Sequence, residues 1–492
     1  MALRFRSLRA FVAATVALGV FVGGCAVGPN YQHPEMTVPP AHRGMEGPPA
    51  AESLADFPWW AIFKDPVLQG MVHEAMENNL DLRIAASRVV EERAVAGVAK
   101  SFLFPEVNFG AGAATGDLSS RTEPPQNISG DDRSFRNWQA GVSLSWEIDL
   151  FGRLRRENEA AFARFLASEQ GRRGVLISLI GDVASSYFVL RELDLELEIS
   201  RETLRLNDER VEFYRKRLKG GVSNRLELDQ AVANRALTAT TIPDIERQIA
   251  IAENALSILL ARPPGPIPRG ATLQEQPYPP SIPVGLPSAL LARRPDVVEA
   301  EELLVAANAD VGAAKALFFP TISLTGVAGG ASRDLGDLAK HEAGIWNLAA
   351  GIFQPIFQAG RIKRNYEASK ARFDQALAGY RKAALNSYRE VADSLVTIEK
   401  LAAARKEQEL GVEALQDAAK LARSRYDNGL SNYLEVLIAD QQLFQQQLGL
   451  ARTEGAQFQG LAQLYRALGG GWSPENVPFV ETSPAASSAP AP

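Results

Sequence analysis

Residues 138–149 read WQAGVSLSWEID, and their side chains alternate. Trp138, Ala140, Val142, Leu144, Trp146 and Ile148 are apolar, whereas Gln139, Gly141, Ser143, Ser145, Glu147 and Asp149 are small or polar. A period of two predicts a strand with one oily face and one wet face. After Gly152 the period becomes helical and runs without a proline to about Leu218. So many helical residues would be on the order of 100 Å long, more than a compact soluble domain can use. The pattern predicts a lipid-compatible strand feeding a huge water-exposed helix, so that one part of the chain spans a membrane and another projects from it.

Other segments follow the same logic. A helical pattern from about Asp65 to Phe102 stops before Pro105, and an alternating segment, Val107–Thr115, comes next. Gly116–Arg133 is a polar loop carrying Pro124-Pro125. Within the long helix Leu176, Ile180, Val183, Tyr187, Leu190 and Leu197 form a four-three seam, repeated later as Tyr388, Val391, Leu395 and Ile398; such a seam wants another helix beside it. Lys219, Gly220 and Gly221 signal a reversal. A shorter helix returns to about Ala261, with a disturbance expected at Pro243. Arg262–Pro287 is crowded with proline and reads as an irregular connection. Beyond it come a helix over 290–315, strands at about Thr321–Gly329 and Trp346–Phe357, and a long helix through Tyr426. A turn at Asn428-Gly429 leads into a helix returning through Leu468. The pre-strand and returning helices, stacked end to end, roughly match one long helix, so each half is expected to project as antiparallel helical pairs. The aromatic segment FPWWAIF, 57–63, is expected to pack on the body.

The chain contains its own comparison. AKSFLFPEVNFGAG at 99–112 matches AKALFFPTISLTGV at 314–327, an offset of 215 residues. At an offset of 208, Trp138 matches Trp346, Gly152-Arg153 matches Gly360-Arg361, and GGVSNRLEL at 220–228 matches NGLSNYLEV at 428–436. Two equivalent halves, roughly 65–262 and 289–470, are the natural reading.

Composition narrows the classes. The 492 residues include 52 basic and 58 acidic side chains, a net charge of −6 that gives nucleic-acid binding no support. With 22% charged residues and no sufficiently apolar run beyond the amino terminus, a polytopic helical membrane protein is excluded; a barrel is not, because alternating strands barely move an average. Cys25 is the only cysteine, so no intrachain disulfide forms, and the four histidines show no metal-ligand spacing. No nucleophile–base arrangement, cofactor loop or nucleotide-binding motif stands out, so no enzyme is expected.

Four strands, two from each half, cannot close around a useful pore, and open edges in lipid cost several kcal/mol per unmatched backbone group. Other copies must complete the wall. Three subunits give an even, twelve-stranded antiparallel barrel in a closed ring, although the pattern alone permits two or four. Trp138 and Trp146 are candidate membrane-interface anchors.

The amino terminus resembles a bacterial lipoprotein signal. Arg4, Arg6 and Arg9 precede an apolar run, Ala10–Val22, and then V-G-G-C ending at Cys25. That resemblance implies cleavage before Cys25 and lipidation there by diacylglycerol and an N-acyl chain, with no other cofactor. Ala26 at the next position favours sorting to the outer membrane.

The segments CAVGPNYQHP at 25–34, SWEIDLFGRLRR at 145–156 and LLARRPDVVEAEELLVAANADVGAAKALFFPTISL at 290–324 resemble the TolC/OprM/NodT group of outer-membrane efflux proteins, as does NGLSNYLEVLIADQQL at 428–443. The resemblance is strongest to the lipoprotein members of RND systems. It implies a mixed α/β membrane protein: a TolC-like homotrimer with a 12-stranded outer-membrane β-barrel, four strands per subunit, and a long periplasmic α-helical barrel. The expected domains are a signal peptide (1–24), a lipidated tether and packing segment (25–64) and a first efflux repeat (65–262). An equatorial linker (263–288), a second repeat (289–470) and a Pro/Ala/Ser-rich tail (471–492) follow. The implied partners are a periplasmic membrane-fusion adaptor, an inner-membrane RND transporter that supplies energy, and outer-membrane lipids, with no nucleic acid.

By the same resemblance the chain is a passive exit duct for small amphiphilic or toxic compounds. Its closed aperture lies near Glu435, Tyr426 and Arg425. Gly220, Gly221, Ser223, Asn224, Gly429, Ser431 and Asn432 are the candidate helix-tip turns and adaptor contacts. Ile438 stands where the family often has an aspartate, which argues against a double acidic ring; Asp440, two positions on, need not share its direction. Type I protein secretion and a pore-free coiled-coil lipoprotein are the competing readings.

Overall fold

The computed structural model describes residues 26–43, 53–117, 119, 134–278 and 283–470. The signal peptide, Cys25 and the tail over 471–492 lie outside the described residues, as does most of the 116–133 loop. The principal elements run α1 (Pro66–Asn78), α2 (Leu80–Ser101), β1 (Glu106–Asp117), β2 (Ser134–Ile148), α3 (Arg153–Lys219), α4 (Arg225–Leu259), α5 (Pro295–Ala316), β3 (Thr321–Ser332), β4 (Gly344–Phe353), α6 (Arg361–Asp427) and α7 (Tyr433–Ala467). The duplication is plain in their lengths. α3 and α6 each have 67 residues, α4 and α7 each 35, and α2 and α5 each 22.

Several sequence expectations need correction. The expected single helix over Asp65–Phe102 is two helices, because Asn79 breaks it with an extended ψ of 131°. The Asn79 side chain then serves both sides: its Oδ1 accepts from Leu82 N–H at 3.0 Å, and its Nδ2 donates to the Leu259 carbonyl at 2.9 Å. Pro243 was expected to disturb α4, yet α4 continues through it. The last strand begins at Gly344 and ends at Phe353, not Phe357; Pro355 follows closely, and a proline has no N–H for a ladder. One stretch of α3 is also apolar and long enough to cross a membrane, contrary to the compositional reading, but more than half of it is buried inside the protein.

By packing, the described residues form two units. The first comprises the described residues of 1–35, 89–167 and 300–380 and contains the sheet. Its four strands are antiparallel in the order β1-β2-β3-β4, so two hairpins, one per repeat, join through β2 and β3. Register places Phe109 opposite Val142, Val142 opposite Ala328, and Ala328 opposite Trp346. Side chains alternate along each strand, so one face collects Val107, Phe109, Trp138, Leu144, Trp146, Leu324, Trp346 and Leu348. The other collects Asn108, Gly110, Gln139, Ser143, Ser145, Ser323, Thr325 and Asn347. Gly141 pairs with Gly329 where the repeats meet, and a Cβ at Gly329 would run into the Ala140 carbonyl.

A left-handed glycine turns each second strand toward its long helix, Gly152 at φ 81° and Gly360 at φ 83°. In the first repeat the corner is fastened by charge. Arg153 Nη2 lies 2.8 Å from Glu147 Oε2, and Asp149 Oδ2 accepts from the Arg155 backbone N–H at 2.8 Å. The start of the described chain lies on this corner: Val27 N–H donates to the Phe151 carbonyl at 3.0 Å, and Arg156 Nη2 donates to Asn30 Oδ1 at 2.7 Å.

The second unit comprises the described residues of 36–88, 168–299 and 381–492. Its core is the expected seam: Leu176, Ile180, Val183, Tyr187 and Leu190 of α3 are buried with Val391 and Leu395 of α6 and with Phe458, Leu461 and Leu464 of α7. Phe188 and Phe458 stack at 4.8 Å. Trp59 is buried there, edge-on to His73, whereas Trp60 is partly exposed. The inter-repeat segment is irregular but well anchored. Tyr187 Oη donates to Asp65 Oδ2 at 2.7 Å and accepts from Gly270 N–H at 2.9 Å, while Gln276 Nε2 donates to the same carboxylate oxygen at 2.6 Å. Burial drives the Tyr187 hydroxyl well above its usual range.

Candidate functional site

Both long helices end in the same local motif. Gly221 (φ 74°) and Gly429 (φ 71°) are left-handed, and the next N–H, from Val222 or Leu430, reaches back to the carbonyl of Arg217 or Arg425. This is the helix stop that glycine permits. Asn224 and Asn432 then cap the returning helices, accepting from Glu227 N–H at 3.0 Å and Glu435 N–H at 3.3 Å. Gly220 fills the first turn beside Gly221, and Ser223 Oγ donates to the Glu227 carboxylate. Ser431 is half-buried between Leu430 and Asn432.

Around these turns the side chains make one apolar cluster. Tyr214 and Val211 of α3, Ala231 of α4, and Tyr433 and Val436 of α7 are buried together, with Tyr426 of α6 packed against them. The three tyrosine rings are mutual neighbours: 4.5 Å separates Tyr214 from Tyr433, 6.0 Å Tyr214 from Tyr426, and 5.8 Å Tyr426 from Tyr433. The Tyr214 and Tyr426 hydroxyls lie near each other and near Glu227, and burial drives both above the usual tyrosine range. Burial pushes the Tyr433 hydroxyl up to about 12. The Arg217 guanidinium lies over the Tyr426 ring at 5.6 Å. Of the expected aperture residues, Tyr426 is thus part of the tip core. Arg425 and Glu435 face each other at 3.5 Å, both about half exposed.

Asp440 was the residue undervalued in the sequence. It is buried, its Oδ2 lies 2.5 Å from Arg210 Nη1 of α3, and its Oδ1 accepts from Arg423 Nη2 of α6 at 2.7 Å. A signal existed: Tyr433, Val436, Asp440, Phe444 and Leu448 form the buried stripe of α7, with a carboxylate where an apolar side chain would serve the packing. Clefts of about 410 Å³ and about 330 Å³ flank this bridge, and both are lined by Leu206, Arg210 and Arg423.

Deeper in the same unit, Glu192 of α3 is mostly buried beside Glu196 and accepts from Gln459 Nε2 at 3.0 Å. Burial, with the neighbouring Glu196 charge, pushes its carboxyl up to about 7. Glu196 itself is held by Arg452 Nε at 2.6 Å. Among the described residues no group of three or more His, Cys, Asp or Glu side chains is placed to hold a metal.

In the sheet, Trp138 and Trp146 occupy the same apolar face, eight residues apart, about 27 Å along a strand. Trp146 Nε1 donates to the Leu103 carbonyl at 3.1 Å, which fixes it beside the start of the sheet. Between the levels of these two tryptophans the apolar face carries no charged side chain, whereas the other face carries Glu106, opposite Ser145. Every residue of β4 is exposed, and among the described residues β1 and β4 each pair on one side only.

Known proteins share this combination. The model of the outer membrane efflux protein family matches residues 71–262 and 286–470. The solvent efflux pump outer membrane protein SrpC of Pseudomonas putida is 37% identical over 484 residues, 96% of this chain and 99% of SrpC. The cation efflux system protein CusC of Escherichia coli K12 is 36% identical over 453 residues, 91% of this chain and 96% of CusC. In structure, the open-state outer membrane channel MtrE of Neisseria gonorrhoeae aligns with a TM-score of 0.82 at 30% identity, covering 91% of this chain and 98% of MtrE. A duplicated hairpin sheet joined to a long helical bundle, in that company, defines the outer-membrane channel component of an RND-type tripartite efflux system, a conduit and not an enzyme. The chain belongs to the outer membrane efflux protein family.

Proposed function

We propose that three copies of this chain close a 12-stranded barrel in the outer membrane and continue as a periplasmic helical tunnel, forming the exit duct for small amphiphilic or toxic compounds. One observation carries the reading: an apolar face that stays in register across all four strands, on a sheet whose two edges have no partner within the described chain. In lipid such edges must be matched, and a neighbouring copy offers the complementary edge. The apolar face then meets hydrocarbon, with Trp138 and Trp146 as anchors at its two borders. The wet face, rich in Ser, Asn, Gly and Thr and carrying Glu106, lines the lumen.

In this reading a periplasmic adaptor meets the helix tips at Gly220, Gly221, Ser223, Asn224, Gly429, Ser431 and Asn432, and an inner-membrane RND transporter supplies the energy. Glu435, Arg425 and Tyr426 stand near the closed aperture. Cys25 carries the lipid. Ala26, the next residue, packs on Gly152 at the strand–helix corner, a position suited to delivering acyl chains to the membrane border. The relatives divide between solvents and cations as cargo.

Deleting the gene and complementing it with wild type or with a Cys25→Ala variant tests the proposal. Deletion should raise intracellular retention of and sensitivity to amphiphilic compounds, and wild type should restore export. Unchanged retention across a broad compound panel would refute it.

A further inference from the structure

The two strand–helix corners carry the same cations and different carboxylates. At an offset of 208, Arg153, Arg155 and Arg156 correspond to Arg361, Lys363 and Arg364. In the first corner every arginine meets an acid: Arg153 pairs with Glu147 and Glu157, Arg155 with Asp149, and Arg156 with Glu159. The counterparts of Glu147, Asp149 and Glu157 are Pro355, Phe357 and Asn365, so of those carboxylates the second corner keeps only Glu367, the counterpart of Glu159. Glu367 lies 2.7 Å from Arg364 and 4.0 Å from Lys363, while Arg361 Nε donates to Gln358 Oε1 at 3.1 Å. Exposure follows the pairing: the Arg156 side chain is 5% exposed and that of Arg364 79%.

The covering differs too. The start of the described chain lies over the first corner, where a Cβ at Gly152 would run into Ala26 and one at Gly28 into Gly312 of α5. That segment occurs once in the chain, so the second corner has no such strap. Gly360 at the second corner has open space where a Cβ would stand, and so does Gly97 of α2, the counterpart of Gly312. Ile356 and Phe357, just before Gly360, are almost fully exposed.

We propose that Arg361, Lys363 and Arg364 bind the phosphate of an anionic phospholipid in the periplasmic leaflet of the membrane, with its acyl chains against Ile356 and Phe357. The inference rests on the channel reading above, which puts this corner where the barrel leaves the membrane. Three cations facing one carboxylate leave a surplus of positive charge. Arginine offers a phosphate parallel donors, and lysine adds a point charge. Near an anionic leaflet each such cation strengthens binding about fivefold. The exposed isoleucine and phenylalanine are what favour a lipid over free phosphate, because an inorganic ion has nothing to bury against them. The first corner offers neither feature: its charges are matched within the chain, and Phe151 is stacked on Phe319 at 4.9 Å.

The test is native mass spectrometry of the full-length assembly, stripped of free lipid and titrated with dioleoyl phosphatidylglycerol or dioleoyl phosphatidylcholine. One spectrum reads chain count and bound lipid together. Wild type should hold phosphatidylglycerol roughly tenfold or more tighter than phosphatidylcholine. Arg361→Gln, Lys363→Gln and Arg364→Gln together should erase that preference. Asn365→Glu restores a carboxylate where the first corner has Glu157 and leaves every cation in place; it should cut the preference about fivefold, the worth of one cation. This second variant decides the matter if the triple variant does not assemble. Inorganic phosphate should leave lipid retention unchanged, and displacement of the lipid by it would overturn the assignment to a phospholipid. Equal retention of the two lipids by wild type, or an undiminished preference in the variants, overturns the site. A complex of three chains with no lipid preference is fatal to the site alone, whereas a single chain takes the channel reading down with it.

Discussion

At the turn from α3 into α4, Gly221 ends one helix and Asn224 starts the next; at the turn from α6 into α7, Gly429 and Asn432 do the same with the same hydrogen bonds. Around that shared frame the side chains differ. The second turn brings two tyrosines and a buried aspartate, where the first has leucine, arginine and valine. The difference separates what a local motif needs from what a long-range contact needs. A helix stop and cap depend on a few adjacent residues, so both copies must keep them. A bridge across helices depends on residues far apart in sequence, and only one seam has it.

The sheet offers the strongest way to break the likeness of the halves. Ala140 and Leu348 correspond at the same offset and lie on the same apolar face. Ala140→Arg and Leu348→Arg each place a guanidinium in hydrocarbon, a cost of about 2–4 kcal/mol per chain at the midplane that falls toward the borders. Both variants should show a similar, large fall in assembled oligomer recovered from outer-membrane fractions. A fall in only one would mean that the two hairpins do not present the same face to lipid.

The buried carboxyl of Glu192 should separate the halves instead, because its counterpart is Lys400, an exposed residue paired with Glu399. Glu192 is raised to about 7, above its unfolded value, so the folded chain holds an extra proton over that interval. Its contribution favours folding at pH 5 and is lost as pH rises through about 7. Thermal melting of the purified assembly at pH 5 and pH 8 should show a gap in wild type that Glu192→Gln narrows and Lys400→Gln leaves alone. Glu196, Arg452 and Gln459 surround the group, and Glu196→Gln should also lower its titration by removing the like charge.

Smaller effects should restore symmetry. Gly221→Ala and Gly429→Ala each force a Cβ into left-handed backbone, at about 1–2 kcal/mol, and should depress the melting temperature alike. Asn224→Ala and Asn432→Ala should cost less, about 1 kcal/mol each, again alike in both turns when measured by thermal melting.

These contrasts also explain how much was legible in the residues. Alternation at 138–149, the glycine stops and the matched segments at offset 208 are local signals, and they predicted the four strands, the long helices and the duplication. The break at Asn79 was hidden because an asparagine inside a helical pattern gives no warning until Leu259 is brought beside it. Pro243 misled in the opposite direction, since α4 accommodates it. Asp440 was visible as a charge within an apolar stripe, but Arg210 lies 230 positions earlier, and only the fold brings the two together. Arg425 and Glu435, expected together near the helix tip, were close enough in sequence to be suspected as neighbours, and they do pair.

Everything functional depends on the four-stranded sheet being one part of a wall that several copies complete. Native mass spectrometry of the protein extracted from outer membranes measures this directly. The account predicts a complex of three chains carrying acyl mass at the amino terminus; a single chain, with its strands outside the lipid fraction, would contradict it.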